Sequence, residues 1–254
     1  MKKSTLLLLA LSVFPSFLLA SNTPGSDFTG VLKISGIVTS KKNPWVWKSE
    51  GVNKSLDVSL VSENNCCGAL IPVLLPPVNL LLGKTSYATS YGREGLSPLI
   101  KYGKNTDGFS LEWVAAGTAL VTIPVTANDH SNIGYFTFKM QVAAVMRHIS
   151  HDQVLYFGLY GDYKGNGLPE VSLMMPAFQV REKLQTMFGG EGPTWLQDIS
   201  INGTADISRF NDIGLYQIEG VYGAHIIPDS GKLYLINGGG TYWRASLPIS
   251  IEYQ

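Results

Sequence analysis

Two adjacent cysteines, Cys66 and Cys67, are the residues of this 254-residue chain whose type and spacing first suggest chemistry. Their Cα atoms must lie about 3.8 Å apart, which is shorter than the roughly 4.4 to 6.8 Å that a disulfide usually spans. A bridge between them would therefore close a strained ring. Three interpretations stay open: a free or strained pair, a bridge to another molecule, and metal or redox chemistry.

A metal site needs a cluster of ligands, and two stretches come closest to supplying one. His148 and His151 are three residues apart, so in the strand expected here they point to opposite faces. The run from Asp162 to Gly167 begins like a calcium-binding loop, but Lys164 and Leu173 occupy the third and twelfth positions, where acidic ligands are required. The sequence therefore predicts a plain turn, no metal and no other cofactor.

Catalytic motifs are absent from the sequence, which contains no Gly-x-Ser-x-Gly elbow, no His-Glu-x-x-His run and no phosphate-binding glycine loop. Carboxylate pairs such as Asp206 and Asp212 arise by chance in any chain with 19 acidic residues. The chain is therefore predicted not to be an enzyme. Sugar binding stays open, because four aromatic side chains are candidates for stacking on a sugar: Trp195, Tyr216, Tyr222 and Tyr242.

The elements that would position any site are strands. Apolar residues alternate with other residues over 55–60, 121–126 and 135–142, which is typical of strands with one face in a core and one in water. Turn signals rich in Gly, Asn, Asp and Pro separate these runs. They lie at 128–129, 165–167, 228–231 and 237–240. The sequence predicts an all-β fold, a sandwich or barrel of antiparallel strands.

One segment departs from this pattern. Pro176 stands at its start, apolar residues recur at 177, 180, 184, 187 and 188, and Gly189 and Gly190 end it. This spacing predicts a short amphipathic helix over 176–188, with a second short helix near 193–198. We expect an insertion at about 168–210 that carries both helices, because an immunoglobulin-like sandwich needs only about 100 residues.

The first 20 residues are typical of an export signal. Lys2 and Lys3 precede an apolar run that ends at Ala20, so we expect cleavage there and a mature chain that begins at Ser21. No later segment predicts a membrane span, since the most apolar one, 69–82, has only about 14 residues where roughly 20 are needed. Without Lys2 and Lys3, the 19 basic residues fall to 17 against 19 acidic ones. That balance excludes the basic surface of nucleic-acid-binding proteins.

An alternating strand lies towards each end of the chain, at 28–38 and at 243–253. An apolar edge strand invites pairing with another chain, and some fibre subunits exploit this by lending an N-terminal strand to a neighbour that lacks one. Charged residues make up 15% of the chain, against about 25% on average, and a poorly charged surface suits such assembly. The pattern alone also fits two internal strands of a closed sandwich.

At these residues the sequence resembles the Fae family, the subunits of the K88 fimbriae of enteric bacteria. The resemblance lies in the run Asp27-Phe28-Thr29-Gly30, in residues 34–39, in Trp45 and Trp47 before Lys48, and in the closing stretch 243–253. Residues 181–209 resemble the family's insertion more loosely. The chain resembles a minor subunit more than the major one.

The resemblance implies an incomplete immunoglobulin-like sandwich that a periplasmic chaperone and an outer-membrane usher assemble into a cell-surface fimbrium. It implies a signal peptide at 1–20, a donor-strand extension at 21–38, and a subunit domain at 39–254 with the insertion. The implied function is that of a minor structural subunit that contributes to bacterial adhesion. The alternative is a receptor-binding adhesin that recognises host glycoconjugates through residues 168–210.

Two sets of residues are expected to do this work. The donor strand would place one face of its side chains in the groove of the next subunit. Its residues are Phe28, Gly30, Leu32, Ile34, Gly36 and Val38. The strand beside the groove, which the chaperone would cap before the fibre forms, presents Leu247, Ile249, Ile251 and Tyr253.

Overall fold

The computed structural model describes residues 42–50, 70–161, 164–236 and 242–254. All of them belong to one unit, Lys42–Gln254. The predicted export signal, donor strand, cysteine pair and strand at 55–60 lie outside the described residues. So do the start of the calcium-like run and the turn at 237–240. Predictions on those segments stay predictions.

Strands form most of the regular structure in the described residues, which confirms the all-β prediction. They are β1 Trp45–Lys48, β2 Leu70–Val73, β3 Val78–Thr85, β4 Thr89–Tyr91, β5 Pro98–Tyr102, β6 Ser110–Ala115, β7 Thr118–Thr126, β8 Asn132–Ser150, β9 Gln153–Tyr160, β10 Gly203–Asp206, β11 Tyr216–Ile226, β12 Gly231–Leu235, β13 Arg244–Ala245 and β14 Ile249–Tyr253. One α-helix, α1, spans Ala177–Phe188, and short 3₁₀ helices span Val171–Leu173, Thr194–Asp198 and Ile207–Asn211.

The longest strand, β8, organises the main sheet. It pairs with β7 and β12 along its first half and with β9 and β11 along its second half. The alternation predicted at 135–142 is confirmed, because Phe136, Phe138 and Met140 are buried whereas Tyr135 and Lys139 are exposed. Period-two patterning therefore sets the face that β8 presents to the core.

Beyond Gln141 this alternation ends, because both faces of β8 are covered. Every residue from Val142 to Met146 is buried. The even-numbered residues belong to the main core, and Ala143 and Val145 belong to a second apolar cluster beneath α1. A strand covered on both faces is apolar throughout rather than alternating.

The helix α1 supplies that cover. It begins after Pro176 and ends at Gly189, whose φ of 54° lies in the left-handed region, as the predicted start and stop require. Its inward side chains pack over β8 and β11, and each contributes about 1.5 to 3 kcal/mol by burial. These side chains are Val180, Leu184, Met187 and Phe188. The short strand β10, which pairs in parallel with β9, was not predicted because four residues are too few to show a period.

A separate two-stranded sheet of β5 and β14 packs across the main core. Ile100 and Tyr102 of β5, and Ile249 and Ile251 of β14, lie in the same apolar cluster as the inward residues of β7, β8 and β11. The apolar side chains of two sheets thus meet in one core. This arrangement is the predicted sandwich.

A buried tyrosine pair joins the two layers. The hydroxyl of Tyr222 donates to the carbonyl of Gly167 at 2.8 Å and lies 2.9 Å from the hydroxyl of Tyr102. Because Tyr222 has one proton, Tyr102 is the donor between them. Burial is the main cause that raises the pKa of both hydroxyls. The interpretation of Tyr222 as a sugar-stacking residue is wrong, since only 1% of it is exposed.

His148 lies in β8 and is only 2% exposed. Its ring stacks on Phe157, with 5.3 Å between the ring centroids, and neither ring nitrogen has a hydrogen-bond partner among the described residues. The prediction that one strand carries both histidines is wrong. β8 ends at Ser150, and His151 lies in the turn to β9 with a φ of 47°.

Stability is expected to fall as the pH drops below about 6.5, the pKa of histidine in an unfolded chain. Burial lowers the pKa of His148 and the charge of Arg209 lowers it further, while the backbone of Ile149 and the carboxylate of Asp212 oppose this. In this window the unfolded chain therefore binds a proton more readily than the folded chain, so the free energy of unfolding falls as the pH drops. Urea denaturation between pH 5 and 7.5 should show a shallower slope for His148→Leu than for the wild type. Equal slopes would contradict this role of His148.

Candidate functional site

β14 is an edge strand. It pairs with β5 in antiparallel register, from Ile249 opposite Tyr102 to Tyr253 opposite Pro98. No other strand in the part of the chain that the structure describes pairs with β14. One long side of β14 thus carries the ladder to β5. The other side is called here the open edge of β14.

The hydrogen bonds of this pair fix which backbone groups face the open edge. The amide of Gly103 donates to the carbonyl of Pro248 at 2.8 Å, and the amide of Gln254 donates to the carbonyl of Ser97 at 3.0 Å. Each of these bonds joins two residues that lie directly opposite each other, one position beyond either end of the register. In an antiparallel ladder every second pair is hydrogen-bonded, so alternate residues from Pro248 to Gln254 bond β5 and the residues between them do not. The residues whose N–H and C=O groups point to the open edge are Ile249, Ile251 and Tyr253.

The core-facing side chains of this segment are only partly covered. Leu247, Ile249 and Ile251 pack against the main core yet keep part of their surface exposed. By contrast, Val121 and Val125 of the interior strand β7 are 0% exposed. A further strand beside β14 would cover these partly exposed side chains.

The opposite face of β14 carries a charged residue, Glu252, which forms ion pairs with two lysines in and just after β5. The carboxylate of Glu252 accepts hydrogen bonds from Lys104 Nζ at 2.5 Å and from Lys101 Nζ at 3.3 Å. These bonds, first that of Lys104, lower the pKa of Glu252. Exposed ion pairs of this kind add little stability, but they mark the face of β14 that stays in water.

The far side of β5 is already occupied, so β14 provides the free side of this two-stranded sheet. Asn166 Oδ1 accepts from the amide of Tyr102 at 2.7 Å, and Asn166 Nδ2 donates to the carbonyl of Tyr102 at 2.9 Å. The amide of Gly167 donates to the carbonyl of Ile100 at 3.2 Å. The described part of the calcium-like run therefore covers β5.

β1 reaches the end of the open edge. Trp47 Nε1 donates to the hydroxyl of Tyr253 at 2.9 Å, and Trp47 stacks on Trp45 with 5.0 Å between ring centroids. The Trp47 ring lies so close to Gly83 that a Cβ there would be 2.2 Å from it. Sequence reasoning missed this contact. The feature of the sequence that could have indicated it is the pair Trp45 and Trp47, whose spacing of two places both rings on one face of a strand.

The structure brings the four predicted groove residues onto one segment. Leu247 precedes β14, and Ile249, Ile251 and Tyr253 lie within it. The six predicted donor residues lie outside the described residues, so their pairing with this segment stays a prediction. The partner strand β5 was not predicted, because Pro98 to Ile100 are all buried and show no alternation.

The alternative glycoconjugate site at 168–210 stays a prediction. Trp195 Nε1 donates to Glu219 Oε1 at 3.1 Å, and Glu219 also pairs with Arg147. This candidate aromatic is therefore held in a polar contact beside α1. Tyr216 and Tyr242 are 44% and 81% exposed, but they lie outside 168–210.

Metal-ligand clusters and spanning helices are two further features that bear on function. No group of three or more His, Cys, Asp or Glu side chains in residues 42–50, 70–161, 164–236 and 242–254 is arranged to hold a metal ion. Within the same ranges, no helix combines the length and the apolar character needed to cross a membrane.

Two comparisons with known proteins bear on the family of this chain. The family model described as "Fimbrial, major and minor subunit" matches residues 1–254. The K88 minor fimbrial subunit FaeI of Escherichia coli is 50% identical over 254 residues, which are 100% of this chain and 100% of that protein.

Proposed function

This chain belongs to the family of major and minor fimbrial subunits, and from that premise we propose that the open edge of β14 accepts a strand from a neighbouring subunit. The chain is a minor structural subunit of a chaperone–usher fimbria on the bacterial surface. Its work is to join other subunits, and this requires no catalytic group.

The open edge of β14 is the observation that supports strand acceptance. Backbone N–H and C=O groups of Ile249, Ile251 and Tyr253 point outward, beside the partly exposed Leu247. A strand added there would pair with those groups and cover the apolar side chains at the same time. Backbone pairing supplies affinity, and side-chain alternation supplies specificity.

The N-terminal segment of the neighbouring subunit is the proposed occupant. Residues 28–38 extend over roughly 35 Å at about 3.3 Å per residue, which is longer than the segment from Leu247 to Tyr253. Phe28, Leu32, Ile34 and Val38 would enter the core, and at about 1.5 to 3 kcal/mol each they contribute roughly 6 to 12 kcal/mol before the cost of association. Gly30 and Gly36 would allow close backbone approach where the groove is shallow.

The same edge would need protection before assembly. An unpaired apolar edge promotes aggregation, so a periplasmic chaperone is proposed to cap Leu247 to Tyr253 until an outer-membrane usher adds the subunit to the fibre. The export signal at 1–20 would deliver the chain to that compartment. Binding of a host glycoconjugate through 168–210 remains the alternative activity.

Photo-crosslinking from the donor strand tests this proposal. A benzoylphenylalanine placed at Ile34 should crosslink, in fibres assembled from copies of this chain, to residues 247–253 of the adjacent copy, because that side chain would face the groove. The matched control is the same probe at Ser35, which would face away and should crosslink elsewhere. Crosslinks from position 34 that stay within one chain, or that avoid 247–253, would refute strand acceptance at β14.

A further inference from the structure

The first residues that the structure describes, 42–44, are held by hydrogen bonds to the body of the protein. The carbonyl of Lys42 accepts from Tyr87 Oη at 2.7 Å and from Arg93 Nη2 at 3.3 Å. The carbonyl of Pro44 accepts from the amide and from the hydroxyl of Ser86, both at 2.9 Å. Residues 42–44 are thus fixed to the body of the protein, and they are called here the root.

The same loop that holds this root also holds the end of β14. Residues 93–97 are called here the hub loop. The carbonyl of Gly95 accepts from Asn43 Nδ2 at 2.6 Å, and the amide of Gly95 donates to the carbonyl of Gln254 at 2.6 Å. The φ of Gly95 is 83°, a left-handed conformation that favours glycine. One residue therefore links the root to the end of β14.

The hub loop is itself fixed to the body of the protein. Asn211 Oδ1 accepts from the amides of Leu96 and Ser97 at 3.2 and 3.1 Å, and the hydroxyl of Ser97 donates to the carbonyl of Ile207 at 2.9 Å. Trp45 Nε1 adds a buried bond to the carbonyl of Leu96 at 3.0 Å. These contacts make the hub loop a rigid support rather than a flexible connection.

From these contacts we infer that Asn43 is a positioning residue for strand capture: through Gly95 it holds Gln254, the residue after β14, and so keeps the end of β14 extended. The end of an edge strand otherwise frays, and ordering it on binding costs conformational entropy. The inference rests on the proposed strand acceptance. It adds that residues 42–44 are linked through Gly95 to the end of the same open edge.

Two variants at Asn43 test this role in the mature chain, residues 21–254. Asn43→Ala removes the whole amide. Asn43→Asp removes the donor to Gly95 but keeps the oxygen that accepts from the amide of Trp45 at 3.0 Å. The matched control is Asn202→Ala. It deletes a side-chain amide whose oxygen accepts from the backbone N–H of Tyr156 at 2.8 Å, and it does not contact the root, the hub loop or β14.

Two readouts separate positioning from general stability. Both Asn43 variants should speed hydrogen exchange at the amides of Gly95 and Gln254 about tenfold, and the control should not. Both should also speed about tenfold the dissociation of a fluorescent synthetic peptide of residues 24–41, while their thermal midpoints match that of the control.

Two outcomes would overturn the inference in distinguishable ways. If the wild type binds the peptide and the Asn43 variants exchange and release like the control, the positioning role is wrong. If the wild type does not bind the peptide, strand acceptance fails, and the positioning role that depends on it fails as well.

Discussion

Replacing Ile34 with aspartate is expected to remove this chain from fimbriae, with incorporation falling more than about 100-fold. The substitution loses about 2 to 3 kcal/mol of apolar burial and places a carboxylate in an apolar groove, which costs several kcal/mol more. Since each 1.4 kcal/mol is about tenfold in binding, the two effects exceed 100-fold together. Quantifying the variant in purified fimbriae against the wild-type chain measures the effect, and Leu32→Asp should behave in the same way.

The control for that experiment is Ser35→Asp, which adds the same charge on the opposite face of the predicted donor strand. It should be incorporated within about threefold of the wild type, because its side chain would stay in water. The Ile34→Asp subunit should still be recovered from the periplasm in a folded, chaperone-bound form, since position 34 would fill a neighbour's groove. Normal assembly of Ile34→Asp would mean that residues 28–38 are not the donor strand.

The fold could be predicted from the sequence where a strand is covered on one face only, because its apolar residues then alternate with polar ones. Phe136 to Met140 alternate because one side of β8 faces the core and the other faces water. The alternation does not continue at Ala143 and Val145, where both faces of β8 are covered. There α1 packs on the face that would otherwise be exposed to water. Pro176 and Gly189 marked the ends of α1 correctly because helix ends are determined locally.

The candidate site could be predicted on one side only. The alternation of Ile249, Ile251 and Tyr253 is visible in the sequence, and it placed these residues on one strand. The partner strand β5 and the support from Asn43 and Gly95 were not predictable, since they depend on contacts between residues that are distant in sequence. Such long-range pairings have no local signature.

The arrangement of β14 is compatible with the proposed strand acceptance, because one strand belongs to a stable body and presents backbone groups on its other side. Its bonds to β5 use alternate residues, and the end beyond Tyr253 is fixed by Gln254 and the hub loop. Ile249 and Ile251 therefore stay extended, and their outward backbone groups pair with no other strand in the described ranges. A preformed edge binds a strand with a smaller ordering cost than a loose one.

Ile251→Pro is expected to leave the fold intact and to weaken strand capture about 30- to 100-fold. Proline lacks an N–H, and the N–H of Ile251 points to the open edge rather than to β5, so the ladder to β5 keeps its bonds. A captured strand would lose one hydrogen bond and leave a carbonyl unpaired, which together cost about 2 to 3 kcal/mol. Dissociation of the labelled 24–41 peptide from the mature chain measures this loss.

Two further variants separate the amide from the side chain at this position. Ile251→Val keeps the N–H and trims one methyl group, so it should weaken peptide binding less than about tenfold. Ser250→Pro removes an N–H that the antiparallel phase directs at β5, so it should lower the thermal midpoint of the subunit itself. If Ile251→Pro binds the peptide as Ile251→Val does, the open edge does not pair with the incoming backbone. The apolar side chains alone would then have to hold the neighbour, and the description of the joint as a strand paired with β14 would be wrong.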